Sequence, residues 1–142
     1  MNELLLGAAS AIFTPPVGTL MAGFGFRDHG AEGVLDDLEL RLFLLKHGDD
    51  AVCIITGDHI GFGATATAQL RQIVHETIGV DPTKVLLCAS HTHCGPQMLD
   101  VTPKVGGPVR PEILADVCEK IKNGAQETQD NLTSVNMSWG ES

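Results

Sequence analysis

The chain has 142 residues, of which 43% are hydrophobic and 19% charged, a composition typical of one globular domain rather than of a disordered segment. Its formal net charge of −9 at pH 7 argues against nucleic acids and anionic membrane surfaces as partners, because both bind basic patches. This charge is compatible with a lipid substrate held by apolar contacts. No stretch approaches the roughly 20 apolar residues of a membrane span, so no transmembrane segment is predicted.

The first half of the chain predicts three strands and one long loop. Residues 3–13 are predicted to form the first strand, and residues 14–34 form the loop, because prolines and glycines interrupt any regular element there. Residues 38–48 alternate and then become apolar, as a partly buried strand does. Residues 51–57 form a continuous apolar run, which is typical of a strand buried on both faces.

The second half predicts two helices and two strands. Residues 64–78 carry an apolar stripe with helical spacing, followed by a glycine and an Asp-Pro pair that end the helix. Residues 84–90 are predicted to form a buried strand, and residues 97–109 a loop rich in proline and glycine. A second helix runs from 111 to about 128, and residues 133–140 alternate as a strand does.

The order of these elements predicts an α/β fold. The strand–helix–strand unit over 51–90 favours two parallel strands joined by a right-handed crossover. We therefore expect a single α/β domain over residues 1–142, with a mixed, largely parallel sheet and crossover helices. In open α/β sheets, ligands bind beyond the carboxyl ends of the strands, which tells where a site should be sought.

Polar residues follow both strands of that unit at their carboxyl ends. Asp58 and His59 come after one strand, and His91 and His93 after the next, so we expect them to converge. Side chains two residues apart in an extended segment share a side, and imidazole nitrogen suits zinc. The spacing alone leaves open whether the two later histidines bind metal or bond nearby backbone. Asp58 could ligate a metal, orient a histidine or cap helix 64–78, whereas His59 is expected to face away.

The four cysteines contain no C-x-x-C pair, so a zinc ribbon or thioredoxin-like motif is not expected. Cys53, Cys88 and Cys118 lie in apolar stretches, which suggests buried free thiols and a reduced, intracellular-type chain. Cys94 could pair with a histidine as a nucleophile, but no nucleophile elbow surrounds it. The first residues lack the basic region of a signal peptide, so the protein is expected to be cytoplasmic unless a signal has been removed.

With these residues in hand, the chain resembles the N-terminal part of the neutral/alkaline, non-lysosomal ceramidase family. The most specific element is H-T-H-C-G-P, followed by the opening T-P-P-V-G-x-x-M-x-G-F-G. Cys94 stands where serine is usual, which argues further against a cysteine nucleophile. The matching segments run in family order over nearly the whole chain and are GAASAIFTPPVGTLMAGFG (7–25), GVLDDLELRLFLL (33–45), VCIITGDHIGFG (52–63), VLLCASHTHCGP (85–96) and SWGE (138–141).

The resemblance implies a zinc-dependent amidase that hydrolyses the amide of ceramide to sphingosine and a fatty acid, with a zinc-activated water attacking the carbonyl. It assigns His91 to the catalytic Zn²⁺ and His93 to the reacting group beside the metal. Asp58 joins His93 in the predicted catalytic group. The loop 18–29 would line the substrate entrance, with Gly25 and His29 as substrate-binding residues.

The chain departs from the family in its length and ligands. The family's other zinc ligands, a further histidine, a glutamate and a tyrosine, lie downstream of the matched region, and this chain has no tyrosine. We therefore expect an incomplete N-terminal segment of a catalytic domain. The alternative is a non-enzymatic fragment that pairs with itself, as a possible homo-oligomer, or with another chain, through exposed apolar surface. A metallo-β-lactamase-type site is set aside, because Cys94-Gly95-Pro96 replaces the required acid.

Overall fold

The structure is a computed structural model that describes residues 3–100 and 107–141. Within these ranges the fold has five strands and two α-helices. In chain order these elements are β1 (Leu4–Ile12), β2 (Glu39–His47), β3 (Asp50–Gly57), α1 (Ala64–Ile78), a short 3₁₀ helix (Pro82–Lys84), β4 (Val85–Ala89), α2 (Pro111–Asp130) and β5 (Thr133–Ser134). None of the helices in these ranges is long and apolar enough to cross a membrane.

The strands form one mixed sheet in the order β4-β3-β2-β1-β5, which confirms the α/β class. The parallel share of the sheet is smaller than expected. Only β3 and β4, the two strands joined through α1, pair in parallel, and the other pairings are antiparallel. The reason lies in the connections: β2 and β3 are joined by a tight turn at Gly48 (φ 60°), and such a hairpin can only be antiparallel.

One face of the sheet packs against both helices and carries the core. Alternate residues of β2 and β3 point to this face because successive side chains of a strand alternate. The apolar stripes of α1 and α2 cover them, and the two helices also pack on each other. We call this the covered face; its fully buried side chains include Leu40, Leu42, Leu44, Cys53, Ile55, Leu70, Val74, Val117 and Ile121.

A glycine lets α2 lie directly on β1. A Cβ atom added to Gly7 would stand 1.8 Å from the carbonyl oxygen of Thr128, so any other residue would push the helix away. Just beyond the helix, Asn131 bonds the same strand: its Nδ2 donates to the carbonyl of Ala8 (2.8 Å), and its Oδ1 accepts from the Ala8 N–H (3.2 Å). These contacts fix the position of α2 along the sheet.

The opposite face of the sheet is covered by neither helix. Its apolar side chains meet across neighbouring strands, as in the pairs Phe43–Ile54 and Ile54–Leu86. Leu86 is 48% exposed, and Cys88 is exposed as well, so the expectation that this cysteine is buried was wrong. We call this surface the open face; it comprises Leu6, Phe43, Leu45, Val52, Ile54, Leu86 and Cys88.

The last predicted strand, 133–140, is reduced to β5. Ser134 and Thr133 pair with the start of β1, and the Val135 N–H donates to the carbonyl of Leu4 (2.9 Å), the first residue of β1. Beyond that point the alternating residues have no strand to pair with, and Trp139 is 90% exposed. The predicted loop 97–109 lies partly outside the described residues, which omit 101–106.

Candidate active site

The two parallel strands end side by side, so the segments that carry Asp58, His59, His91 and His93 meet at the same edge of the sheet. Gly57 and Ala89 are paired at the ends of β3 and β4. Just beyond, the Ser90 N–H donates to the Gly57 carbonyl (3.0 Å), and the His91 N–H donates to the His59 carbonyl (3.1 Å). Backbone hydrogen bonds therefore join the segments that carry the predicted site residues at one edge of the sheet.

His91 is held in one orientation and one tautomer. Its Nδ1 lies 2.7 Å from the carbonyl oxygen of Ile60, and because a carbonyl only accepts, Nδ1 must carry the proton. The lone pair is left on Nε2, which is the arrangement of histidines that bind metals through Nε2. The backbone of His91 is left-handed (φ 61°), a conformation that costs roughly 1–2 kcal/mol in an L-residue. The backbone and ring hydrogen bonds hold it there.

His93 lies next to His91. The two ring centroids are 5.3 Å apart, with the ring planes inclined by 64°. The Phe24 ring packs against the other side of His93 at 5.1 Å and 72°. Within the described ranges neither ring nitrogen of His93 has a hydrogen-bond partner, so both are available to a bound molecule. The structure brings the two predicted histidines together, and their roles stay predictions.

Asp58 faces a cavity whose lining includes neither His91 nor His93. Its Oδ2 accepts a hydrogen bond from the Glu39 N–H (3.1 Å), which fixes the carboxylate at the start of β2. The carboxylate lines a cavity of about 600 Å³ together with Thr92 and Cys94. The cap of α1, which Asp58 might have supplied, comes instead from Asp100, whose Oδ2 accepts from the Thr65 N–H (2.7 Å).

The long loop forms the other wall of this cavity. Arg27, His29, Val34 and Leu35 all line it. The Nδ1 of His29 lies 3.0 Å from the carbonyl of its neighbour Gly30, and its ring is largely exposed at the mouth. Gly25 sits in an exposed turn and is not part of the lining. Of the two predicted substrate-binding residues, the structure thus places His29 at the cavity and Gly25 outside it.

His59 is the residue that sequence reasoning undervalued. Its ring is 0% exposed and packs edge-on against Phe62 (4.1 Å between centroids) and Phe13 (6.2 Å). Burial lowers the pKa of this imidazole to about 4, with the Gly61 carbonyl and the charge of Asp58 acting in the opposite direction. Its Nε2 has no hydrogen-bond partner in the described part of the chain. His59 therefore serves the site through its backbone carbonyl, and only its surroundings, not its spacing, could have revealed this.

The donor set fits one zinc ligand but not a closed zinc site. His91 presents a free Nε2, as zinc requires of an imidazole ligand. Across residues 3–100 and 107–141, however, no three histidine, cysteine or acidic side chains come together to hold a metal ion. A zinc ion bound through His91 would therefore need ligands from beyond these residues.

The structure is an α/β domain in which two histidines lie together beyond the ends of its parallel strands. No protein-family model and no curated protein matches the chain. Among solved structures it is similar to neutral ceramidase from Pseudomonas aeruginosa, with a TM-score of 0.81 and 16% identity over 94% of this chain. A ceramidase complexed with C2 is similar at a TM-score of 0.78 and 20% identity, also over 94%.

The chain spans only 22% of the length of each of these proteins. The resemblance read from the sequence is therefore confirmed for the fold: the chain has the fold of a neutral ceramidase portion.

Proposed function

We propose that this chain carries part of the active site of a zinc-dependent amide hydrolase, acting on a lipid amide of the N-acylsphingosine class. The observation that carries the proposal is the His91 ring, whose Nδ1–H is tied to the Ile60 carbonyl so that Nε2 is free to bind metal. The ceramidase-like fold supports the same reaction class. A further ligand set would come from polypeptide beyond the described residues.

Each of the three candidate site residues has a proposed role that follows from its position. Zinc, when bound, lowers the pKa of its water and polarises the amide carbonyl. His91 holds the metal, and His93, with both ring nitrogens free beside it, donates a hydrogen bond to the reacting group. Asp58 faces the adjoining cavity, where a carboxylate can accept a hydrogen bond from the amine end of the substrate.

The cavity suits an amphiphilic molecule. Its wall carries the apolar side chains of Val34 and Leu35, which are 54% and 96% exposed, and also the polar side chains of Asp58 and Thr92. A hydrocarbon chain could lie along the loop while a polar amide group reached the strand ends. This arrangement supports a lipid amide rather than a fully polar substrate.

The first test is zinc binding by the purified chain, measured by competition with a chromophoric chelator. Wild type is compared with His91→Ala and with His47→Ala, a control in an exposed histidine at the end of β2, remote from the site. We expect His91→Ala to weaken zinc binding about tenfold or more, because loss of a residue that merely hydrogen-bonds a metal ligand already costs about 10–100-fold. We expect His47→Ala to bind zinc as wild type does.

The second test is hydrolysis of a short fluorogenic N-acylsphingosine analogue with and without added zinc. Zinc-dependent release of the amine that His91→Ala abolishes would support the proposal. Measurable zinc binding by the wild-type chain that is unchanged in His91→Ala would refute the metal role of this histidine, whether or not hydrolysis is detected.

The open face gives the alternative function, self-association, a specific location. Leu86 is 48% exposed on the edge strand β4, and the apolar open face to which it belongs could be covered by a second copy of the chain. The molar mass in solution, measured by light scattering, tests this idea. A dimer that Leu86→Lys converts to a monomer would support it, and a monomeric wild-type chain at high concentration would reject it.

A further inference from the structure

A short segment of the long loop packs against His93. We call residues 21–27 the strap. The Ala22 N–H donates to the Gly95 carbonyl (2.8 Å), and Met21 forms an isolated antiparallel bridge with Pro96. Ala22 is completely buried, so the start of the strap is part of the packed interior. The strap is thus tied to the two residues that follow the H-T-H-C element.

Gly23 forms the seat on which the His93 ring rests. A Cβ atom added to Gly23 would stand 2.4 Å from Cγ and 2.8 Å from Nδ1 of His93. The backbone of Gly23 is also left-handed (φ 110°), which an L-residue rarely adopts. Two independent constraints therefore demand glycine here, and one of them is the imidazole itself.

Phe24 fixes the tilt of the same ring. Its ring meets His93 edge to face, with centroids 5.1 Å apart. The guanidinium carbon of Arg27 lies 5.0 Å above the Phe24 ring, and the Arg27 N–H donates to the Phe24 carbonyl (3.0 Å). These contacts hold the aromatic ring in place although Phe24 is partly exposed.

Packing is the means by which the described residues orient His93. Its neighbour His91 is oriented by a hydrogen bond from its ring, whereas His93 has no such bond in residues 3–100 and 107–141. Groups that act on a substrate must be held within about 0.5 Å and 10–20° of their productive geometry. The strap is the structure that meets this requirement for His93.

We propose that the strap is a positioning device for His93, in which Gly23 seats the imidazole and Phe24, backed by Arg27, sets its tilt beside His91. The functional meaning of this position rests on the hydrolase proposed above. Gly23, Phe24 and Arg27 are positioning residues, since they act on the reaction only through His93.

The test is an NMR measurement on the zinc-free chain labelled at histidine, which needs neither metal nor activity. In wild type we expect nuclear Overhauser contacts from the His93 ring to Gly23 and Phe24. In Phe24→Ala the His93 ring signals should shift by more than their linewidths and lose the contact to Gly23, while His47 and His75 stay unchanged. Phe24→Tyr should restore the wild-type pattern. The matched control is Phe26→Ala, an 86% exposed neighbour that contacts Phe24 but not His93.

Activity forms the second measurement. In a preparation that hydrolyses the amide, Phe24→Ala should lower kcat about tenfold or more with little change in KM, since misplacement of a catalytic group by 1 Å can cost about 100-fold. Phe24→Tyr should recover most of the rate.

Two results would overturn the positioning role. One is an undisturbed His93–Gly23 contact in Phe24→Ala; the other is an unchanged kcat in a variant whose His93 ring has moved. Gly23→Ala is a stronger change that risks misfolding, so the surface variant Phe24→Ala decides the question. If the chain neither binds zinc nor hydrolyses amides, only the proposed hydrolase function is refuted. The NMR measurement still decides whether the strap orients His93.

Discussion

The two faces of the same sheet differ in what holds them. The covered face is closed by α1 and α2, and Leu40, Leu42 and Leu44 of β2 are all completely buried there. The open face carries equally apolar residues from the same strands, yet Leu86 remains 48% exposed. Both faces of the sheet therefore carry apolar residues that could be buried. They are fully buried only on the face that a second layer, here the two helices, covers.

The largest expected effect is on core packing. Leu42→Ala should lower the free energy of unfolding by about 3 kcal/mol, because it leaves a cavity between β2 and α2, where Gly124 approaches the Leu42 side chain. Leu86→Ala on the open face should cost less than about 1 kcal/mol. Urea denaturation of both variants measures the difference. Equal losses would mean that the open face is also packed.

The second effect is a dependence of stability on pH that arises from His59 on the covered side. Its pKa is lowered by burial from 6.5 to about 4, so below pH 6.5 the unfolded chain binds the proton before the folded chain does. Stability is therefore full above pH 6.5 and falls as the pH drops towards 4, by about 3 kcal/mol over the window.

Urea unfolding of the zinc-free chain at pH 7.5 and 4.5 measures this loss. The variant His59→Phe should show a smaller difference between the two pH values, whatever its absolute stability. The control His47→Ala replaces an exposed histidine and should keep the wild-type difference in stability between the two pH values. A wild-type pH dependence in His59→Phe would show that other groups cause it.

The third effect concerns the contact between the start of α1 and the loop that follows the histidine segment. Asp100 caps α1 from a distant loop, since its carboxylate accepts from the Thr65 N–H (2.7 Å) and Gly63 supplies no side-chain cap. Asp100→Ala should destabilise the chain by about 1 kcal/mol and speed hydrogen exchange at Thr65. Asp100→Asn keeps an acceptor and should restore most of the loss, and a full loss in this variant would point to charge instead.

The smallest effect leaves the free energy of unfolding unchanged. It is a difference in how accessible the cysteines on the two faces of the sheet are to a thiol reagent. Burial raises the pKa of the Cys53 thiol on the covered face to about 11, whereas Cys88 on the open face is exposed. A maleimide should therefore label Cys88 and Cys94 in the native chain, and Cys53 only after unfolding. Loss of one label in Cys88→Ser identifies the site. A protected Cys88 beside a reactive Cys94 would show that a second copy covers the open face.

Elements marked by local signals were predicted well. The helix 64–78 matches α1, because its apolar stripe, the left-handed Gly79 (φ 74°) and the Asp81-Pro82 pair all act within one or two turns. The convergence of the histidines also followed, since a strand–helix–strand unit leaves little choice of pairing. The sheet is less parallel than predicted because the tight turn at Gly48 makes β2 and β3 antiparallel and β1 also pairs antiparallel with β2. The final strand is shorter than predicted because only its first residues pair with the distant β1.

The site also has features that local sequence signals predicted and features that depend on contacts between distant segments. His91 and His93 stood out by their spacing at a strand end, but the buried state of His59 and the seat at Gly23 involve residues far apart in the chain. The sequence by itself determined the α/β class, the helices and the edge of the sheet that carries the histidines, since periodicity and turn chemistry act over a few residues. Only the tertiary structure decided which face is covered, which nitrogen of His91 is free and what holds His93, because those are contacts between segments that only folding brings together.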